Sequence, residues 1–206
     1  MAELRLQIRR SEGNTQECEI YRALGQFPRL RALILDLHFD PRERGPDPDT
    51  VRRMSPDQFG GDDEDEEEGQ AVDPVLLRTT LINAATDEIL ALGIWDLIAT
   101  SQPSGCLQNL RIVPFGLEMC SPDESYFLIF LARSFLVSRL GSTTLSSRRL
   151  GGCPGWSGKR IRMAPVGCAC YRGGAEEVVA ALWPALAGRD DWSSGWASFP
   201  LESGGH

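Results

Sequence analysis

A leucine pattern that occurs three times constrains this fold more than any other feature of the sequence. The pattern L-x-L-x-I at residues 4–8 returns as L-x-L-x-L at 33–37, an offset of 29 residues, and L-x-x-L-x-I follows at 107–112. Repetition at this spacing is typical of stacked strand–helix units, none of which can bury its apolar face alone. We therefore predict three adjacent parallel strands whose leucines share one core.

Helical periodicity separates the three strand segments. Residues 15–27 place Ile20, Leu24 and Phe27 at helical spacing, and Pro28 then ends the segment. Residues 81–100 carry an apolar face and have acidic residues at their start, where the helix dipole favours them. The residues of that face are Leu90, Ile94, Leu97 and Ile98, and the acidic residues are Asp87 and Glu88. The predicted fold is α/β, a short leucine-rich-repeat-like solenoid of about three strand–helix units with parallel strands and long disordered insertions.

The segments outside the repeat divide the chain further. Residues 41–73 combine prolines, glycines and an acidic run, and cannot bury enough apolar area to offset the cost of ordering. Residues 141–173 are rich in Gly, Ser and Arg without an apolar period, and are either a long loop or not genuine coding sequence. The predicted organisation is 1–40 first repeats, 41–73 disordered acidic insertion, 74–140 solenoid continuation, 141–173 disordered loop, and 174–206 C-terminal helix with an aromatic tail.

Two further helices are predicted near the end of the chain. Ser-Pro-Asp-Glu at 121–124 is a capping box that precedes the apolar run 127–137, which we interpret as a buried helix. Helical spacing returns at 176–186 until Pro184 ends it. The aromatic residues that follow either pack back onto this helix or form a peptide-binding surface. They are Trp192, Trp196 and Phe199.

Charge argues against nucleic acid as a partner. The formal net charge is −8, and seven of the 29 acidic residues lie in the run 62–68, which leaves 22 acids against 21 bases elsewhere. A nearly neutral body offers no extended cationic surface for phosphates. The acidic run itself is either a solvated loop or a tail for basic partners.

The sequence predicts an intracellular protein. The first ten residues alternate apolar and polar side chains and lack a secretory layout, and the most apolar stretch, 126–137, is too short for a membrane span. We therefore predict no membrane association, a cytoplasmic or nuclear location, and six cysteines present as free thiols.

Catalytic and metal-binding patterns are weak. His38 lies between Asp36 and Asp40 in an alternating strand, but side chains two apart on a strand stand side by side and no nucleophile faces them. This row is either a catalytic constellation or a polar strand face, and we favour the latter and predict no enzyme, cofactor or metal. Cys168-x-Cys170, with Cys153 upstream, is a poor match to the paired C-x₂₋₄-C spacing of zinc sites, and leaves a small thiol- or zinc-binding protein as the alternative.

Four segments, in order along the chain, resemble one protein family. They are YRALGQFPRLRALILDLHFDPR at 21–42, LINAATDEILALGIWDLI at 81–98, LQNLRIVPFG at 107–116 and WPALAGRDDWSSGWASFPL at 183–201. Together they are similar to the leucine-rich-repeat-like portion of fungal F-box proteins, which implies a solenoid that binds other proteins. The resemblance is to the C-terminal portion alone, so we expect no F-box in this chain.

Strand alternation predicts the binding surface. If the repeated leucines point inward, their neighbours point to the opposite face of the sheet. Those neighbours are Arg5, Gln7 and Arg9 on the first strand, Ile34, Asp36 and His38 on the second, and Arg111, Val113 and Phe115 on the third. This mixed, concave patch has the composition of a protein interface. We therefore predict a non-catalytic protein-interaction module of leucine-rich-repeat type that binds another protein, with a truncated gene product as a further alternative.

Overall fold

The fold is known from a computed structural model. The structure describes residues 2–41, 73–103, 105–116, 128, 130–140, 144–151, 173–187 and 195–202. The predictions for the acidic insertion, the capping box, Trp192 and Cys153, Cys168 and Cys170 fall outside these ranges.

The described strands form one mixed sheet of five strands, in the order β1-β2-β3-β4-β5. The strands are β1 (Ala2–Arg9), β2 (Leu30–His38), β3 (Asn109–Phe115), β4 (Ser134–Leu140) and β5 (Thr144–Gly151). The first three run parallel, whereas β4 and β5 are antiparallel to their neighbours. The α/β class is confirmed. The three predicted strands are parallel to one another, and the two antiparallel strands β4 and β5 were not predicted.

The repeated leucines occupy equivalent positions in the three parallel strands. Leu4 lies opposite Leu33, and Leu33 opposite Leu110. The next inward row repeats this pairing with Leu6, Leu35 and Ile112. One leucine pattern therefore fixed both the strand order and the register, because a slip of one residue would turn every leucine to the other face.

Four helices have bounds within the described residues. They are α1 (Thr15–Gly25), α2 (Pro74–Ala84), α3 (Glu88–Ser101) and α4 (Gly173–Leu182), with a 3₁₀ turn at Pro184–Leu186. The side chains of Asn14, Asp73 and Asp87 cap the first three by accepting backbone N–H groups of the first turn. Helices α1 and α3 contact each other and cover the leucine face of the sheet, which forms the main core.

The apolar face predicted for α1 is wrong at two positions. Ile20 and Phe27 are 41% and 52% exposed, whereas Cys18 and Tyr21 are fully buried and only Leu24 of the predicted set lies in the core. The helix instead buries the side that carries Glu17, Cys18 and Tyr21, where Glu17 forms a buried ion pair with Arg10.

The single helix predicted over residues 81–100 is two helices. Chain direction changes at residues 85–87, between α2 and α3, and Asp87 is the N-cap of α3 rather than a residue of its first turn. Leu90, Ile94 and Ile98 are buried as predicted, while Leu97 is only partly buried.

The apolar run 127–137 was predicted as one buried helix, and this is wrong for its second half. Residues 134–140 form β4, whose Phe135 and Val137 face the main core. A continuous apolar run fits a buried strand as well as a buried helix, so periodicity alone does not distinguish them. Strand β5 likewise lies within the segment predicted to be a loop, and its Ser- and Arg-rich sequence carries no apolar alternation.

A second apolar cluster lies around α2 and α4 and includes Leu81, Leu131 and Val179. The aromatic tail packs on it: the ring centroid of Trp183 lies 6.5 Å from that of Trp196 and 5.5 Å from that of Phe199. The indole N–H of Trp183 also donates to the carbonyl of Ala197 at 2.8 Å. The packing interpretation therefore holds for Trp196 and Phe199.

Gly25 is required where α1 crosses α3. A Cβ at this position would lie 2.4 Å from the carbonyl oxygen of Ile98 and 2.7 Å from Cβ of Ser101. We expect Gly25→Ala to destabilise the protein by about 1–3 kcal/mol, although alanine is the better helix former, because the helices must separate. The control is Gly93→Ala in α3, where a Cβ would meet only the Leu201 side chain at 3.4 Å. Urea unfolding of both variants tests this, and equal stabilities would contradict it.

Candidate recognition face

The face of the sheet opposite the main core carries exposed residues of β1, β3 and β5. The leucine rows point to α1 and α3, so the alternate residues of each strand point away from the helices. We call this side the open face. All nine residues predicted for binding lie on it, because Arg5, Gln7 and Arg9 pair across β1–β2 with Ile34, Asp36 and His38, and those pair across β2–β3 with Arg111, Val113 and Phe115.

Arg5 and Asp36 form a bidentate ion pair across β1 and β2. Nε of Arg5 donates to Oδ2 of Asp36 at 2.6 Å, and an Nη of Arg5 donates to Oδ1 at 3.1 Å. The hydrogen bond and the charge of Asp36 raise the pKa of Arg5 above its usual value. The arginine side chain remains 66% exposed, so the pair presents a fixed guanidinium edge to solvent.

His38 and Phe115 form the row at the carboxyl end of the parallel strands. Their ring centroids are 4.8 Å apart at an interplanar angle of 65°, an edge-to-face contact. Both side chains are partly exposed, whereas Val113 in the row before them is only 6% exposed. Val113 thus offers little surface to a partner, and the aromatic pair offers more.

The antiparallel strands extend the open face by residues that the sequence did not indicate. Arg111 lies opposite Leu136 of β4, and Leu136 lies opposite Arg148 of β5. One row therefore crosses all five strands and alternates arginine with an aliphatic residue. Its members are Arg5, Ile34, Arg111, Leu136 and Arg148. Leu136 and Arg148 could not be assigned to this face from the sequence, because neither β4 nor β5 is predicted as a strand.

Positive charge predominates on the open face. Arg9, Arg111 and Arg148 are exposed on it together with the paired Arg5. The carboxylates on the same side are Glu3, which is exposed, and Asp36, which is occupied by Arg5. The face therefore favours anionic groups, although the whole chain is acidic.

The Asp-His-Asp row is not a uniformly exposed polar strand face. Strand β2 ends at His38, and Asp40 lies beyond it with a relative exposure of 0%. Asp36 is engaged by Arg5, and the His38 ring contacts Phe115. The three residues are thus in three different environments.

A buried ion pair lies behind the carboxyl end of β1. Nε of Arg10 donates to Oε1 of Glu17 at 3.0 Å, and both side chains are at most 1% exposed. Glu17 also accepts from the hydroxyl of Tyr21 at 2.8 Å and from the backbone N–H groups of Ser11 and Gly13 at 2.7 and 2.9 Å. We call Arg10, Glu17 and Tyr21 the ion cluster. Because its side chains are buried from solvent, the ion cluster stabilises the fold.

The ion cluster shifts two pKa values. Burial opposes the charge of Glu17, but the charge of Arg10 and the hydrogen bonds from Ser11, Tyr21 and Gly13 outweigh burial, so the pKa of Glu17 is lowered. Burial, followed by the charge of Glu17, raises the pKa of Tyr21 well above its ordinary value. At neutral pH Glu17 is therefore a carboxylate and Tyr21 a neutral phenol.

The described residues contain no group of three or more potential metal ligands. Cys18 is buried and Cys106 is partly buried, and neither is in a disulfide. Within the same ranges no helix combines the length and apolar character needed to cross a bilayer.

The fold and the open face define an α/β protein with a mixed five-stranded sheet, open at its edges and with helices packed on the leucine face. No family model, curated protein or solved structure matches this chain.

Proposed function

We propose that this chain is a non-catalytic protein-recognition module that binds its partner on the open face. The row Arg5, Ile34, Arg111, Leu136 and Arg148 carries this proposal. Parallel strands are ordinarily covered on both faces, because crossover helices lie on either side. Here the described helices cover the leucine face, and a row of arginine and aliphatic side chains lies on the other.

The partner chemistry follows from this row. Arginine recognises carboxylates through two parallel hydrogen bonds, and arginine is enriched in protein interfaces where lysine is not. Arg5, Arg111 and Arg148 lie on alternate strands, so their backbones are about 10 Å apart. We infer a partner surface with carboxylates at that spacing and apolar side chains between them, which would contact Ile34 and Leu136.

The three parallel strands support a solenoid interpretation of leucine-rich-repeat kind, with β4 and β5 as an antiparallel closing hairpin. Equivalent leucines in one register are what stacked units of such a solenoid require. A relationship to the repeat portion of fungal F-box proteins is part of the same proposal. In those proteins this portion binds other proteins, which agrees with a recognition role for the open face.

A cross-linking experiment tests the position of the interface. A photoreactive amino acid at Arg111 in the centre of the open face should cross-link a partner in cell extract, and the same group at Asp96 on the exposed side of α3 should not. The captured protein is then purified and its binding measured directly. Equal cross-linking from both positions would contradict the proposal.

Substitution of the aromatic end of the open face tests its contribution to binding. We expect the triple variant Arg9→Ala, His38→Ala and Phe115→Ala to bind the purified partner at least about tenfold more weakly, because it removes one charge and two rings from the interface. The matched control replaces three exposed residues of the helical layer, Glu19, Asp96 and Thr100, with alanine. Circular dichroism verifies that both variants are folded. Unchanged affinity in the first variant would refute the assignment.

A further inference from the structure

Strand β1 has an outer edge that pairs with no described strand. The backbone N–H of Arg10 donates inward to the carbonyl of His38 at 2.9 Å. Because backbone groups of successive residues point to opposite sides of a strand, those of Glu3, Arg5, Gln7 and Arg9 point to the outer edge. This edge offers a regular row of donors and acceptors to another strand.

The leucines of β1 are less buried than their equivalents in β2 and β3. Leu4 and Leu6 are partly buried, whereas Leu33 and Leu35 are 1% and 0% exposed. All have the same inward orientation and neighbouring helices. The difference arises because β1 has a strand on one side only, so the main core remains partly open at this edge.

Helix α1 and the residues just after it carry exposed apolar side chains. Ile20 and Phe27 are 41% and 52% exposed, and Ala23 between them is also exposed. Gly25, which touches α3, lies about 140° around the helix from Ile20. These side chains therefore face away from α3, and because α3 contacts β4 and β5 at the other end of the sheet, we place them on the β1 side. Ile20 and Phe27 are the two residues that contradict the apolar face predicted for α1.

We propose that a second copy of this chain docks here, with the two β1 strands antiparallel about a two-fold axis at Leu6. This register places Glu3 of each copy opposite Arg9 of the other, so two pairs of opposite charges form. It also places Arg5 opposite Gln7, and the outward N–H and C=O groups of both strands form about eight hydrogen bonds. The inward leucines meet leucines or isoleucines across the axis.

Adjacent registers lack this complementarity. The leucines of both copies stay on one face only if the two-fold axis passes through a residue of β1. The neighbouring registers therefore have their axis at Arg5 or at Gln7. An axis at Arg5 brings the two Arg5 side chains together, and an axis at Gln7 places Arg5 opposite Arg9. Like charges directly opposite are destabilising. The exposed charges of β1 therefore select the register centred on Leu6.

The symmetry also accounts for the exposed apolar side chains of α1 and of the residues just after it. A two-fold axis perpendicular to the sheet keeps the helices of both copies on the same face, so the two α1 helices become neighbours. Ile20, Ala23 and Phe27 then lie between them, and their exposed surface is buried. The edge of the strand and the flank of the helix thus form one self-complementary surface.

Analytical ultracentrifugation of the whole chain tests the proposal through a charge swap. We expect the protein to be dimeric at micromolar concentration, and Arg9→Glu or Glu3→Arg alone to weaken the dimer about tenfold or more. The double variant Glu3→Arg with Arg9→Glu should restore it. An equimolar mixture of the two single variants should form a heterodimer, because each then supplies the charge that the other lacks.

A variant on the helix distinguishes this interface from pairing at the other edge of the sheet. Phe27→Gln should weaken the dimer, whereas Leu145→Gln on the edge strand β5, itself 36% exposed, should leave it unchanged. A monomer at all accessible concentrations would overturn the proposal. So would a dimer that Arg9→Glu, Glu3→Arg and Phe27→Gln leave intact, or one that Leu145→Gln disrupts.

Discussion

Leu35→Ala is expected to lower the free energy of unfolding by about 2–5 kcal/mol. Leu35 is 0% exposed in the central region of the main core, with Leu6 on one side and Ile112 on the other. Removing three carbons there leaves a cavity between the sheet and helices α1 and α3 that packed neighbours cannot fill. Urea unfolding monitored by tryptophan fluorescence measures the loss.

The same substitution at Leu6 is the matched control. Leu6 occupies the equivalent inward position one strand away, but it is only partly buried because β1 is an edge strand. We expect Leu6→Ala to cost about 1–2 kcal/mol under conditions where the protein is monomeric. Ile112→Ala, which is as buried as Leu35, should cost as much as Leu35→Ala. Equal losses at Leu6 and Leu35 would contradict the weaker burial of Leu6 at the edge of the sheet.

Glu17→Gln is expected to destabilise the protein by about 3–5 kcal/mol at neutral pH. The substitution leaves the guanidinium of Arg10 buried without its counter-charge and weakens the hydrogen bonds from Ser11, Gly13 and Tyr21. Breaking one side of a buried pair costs more than the pair itself contributes, because the remaining charge has lost both water and partner. Chemical unfolding at pH 7 measures the difference.

The stability lost in Glu17→Gln should become smaller as the pH falls. The folded pKa of Glu17 lies below its ordinary value of 4.5, so the carboxylate contributes stability that is fully present above pH 4.5. That contribution is lost as the pH falls through the folded value. The wild-type protein should therefore lose stability more steeply on acidification than Glu17→Gln, and the two unfolding free energies should converge. Parallel curves between pH 3 and pH 7 would contradict the assignment.

A double variant separates the charge from the packing. Replacing Arg10 with methionine and Glu17 with leucine removes both charges while keeping the volume similar. We expect this variant to be more stable than Glu17→Gln, because no unpaired charge remains in the interior. It should stay below the wild type, since the N–H groups of Ser11 and Gly13 lose their acceptor.

The sequence predicted the structure correctly where the local pattern of residues matched the tertiary environment. The spacing of the leucines predicted three parallel strands and their register because inward-facing residues alternate strictly and only one register buries them all. The same alternation predicted the nine residues of the open face. The end of α1 before Pro28 and the end of α4 before Pro184 follow from the proline ring, which cannot continue a helix.

Tertiary structure decided the features whose local patterns were ambiguous. Residues 134–140 form a strand because β3 offers its free edge, and this contact cannot be read from an apolar run that suits a helix equally well. Strand β5 has no apolar period and is paired by β4, so Arg148 joins the open face only through that pairing. The buried side of α1 includes Glu17, whose ion pair with Arg10 joins two charged residues that local hydropathy assigns to the surface. The sequence thus determined the parallel strands and the open face, which follow from the alternation of side chains along a strand. Contacts between distant segments determined β4, β5 and the buried side of α1, because strand edges and ion pairs depend on which segments meet.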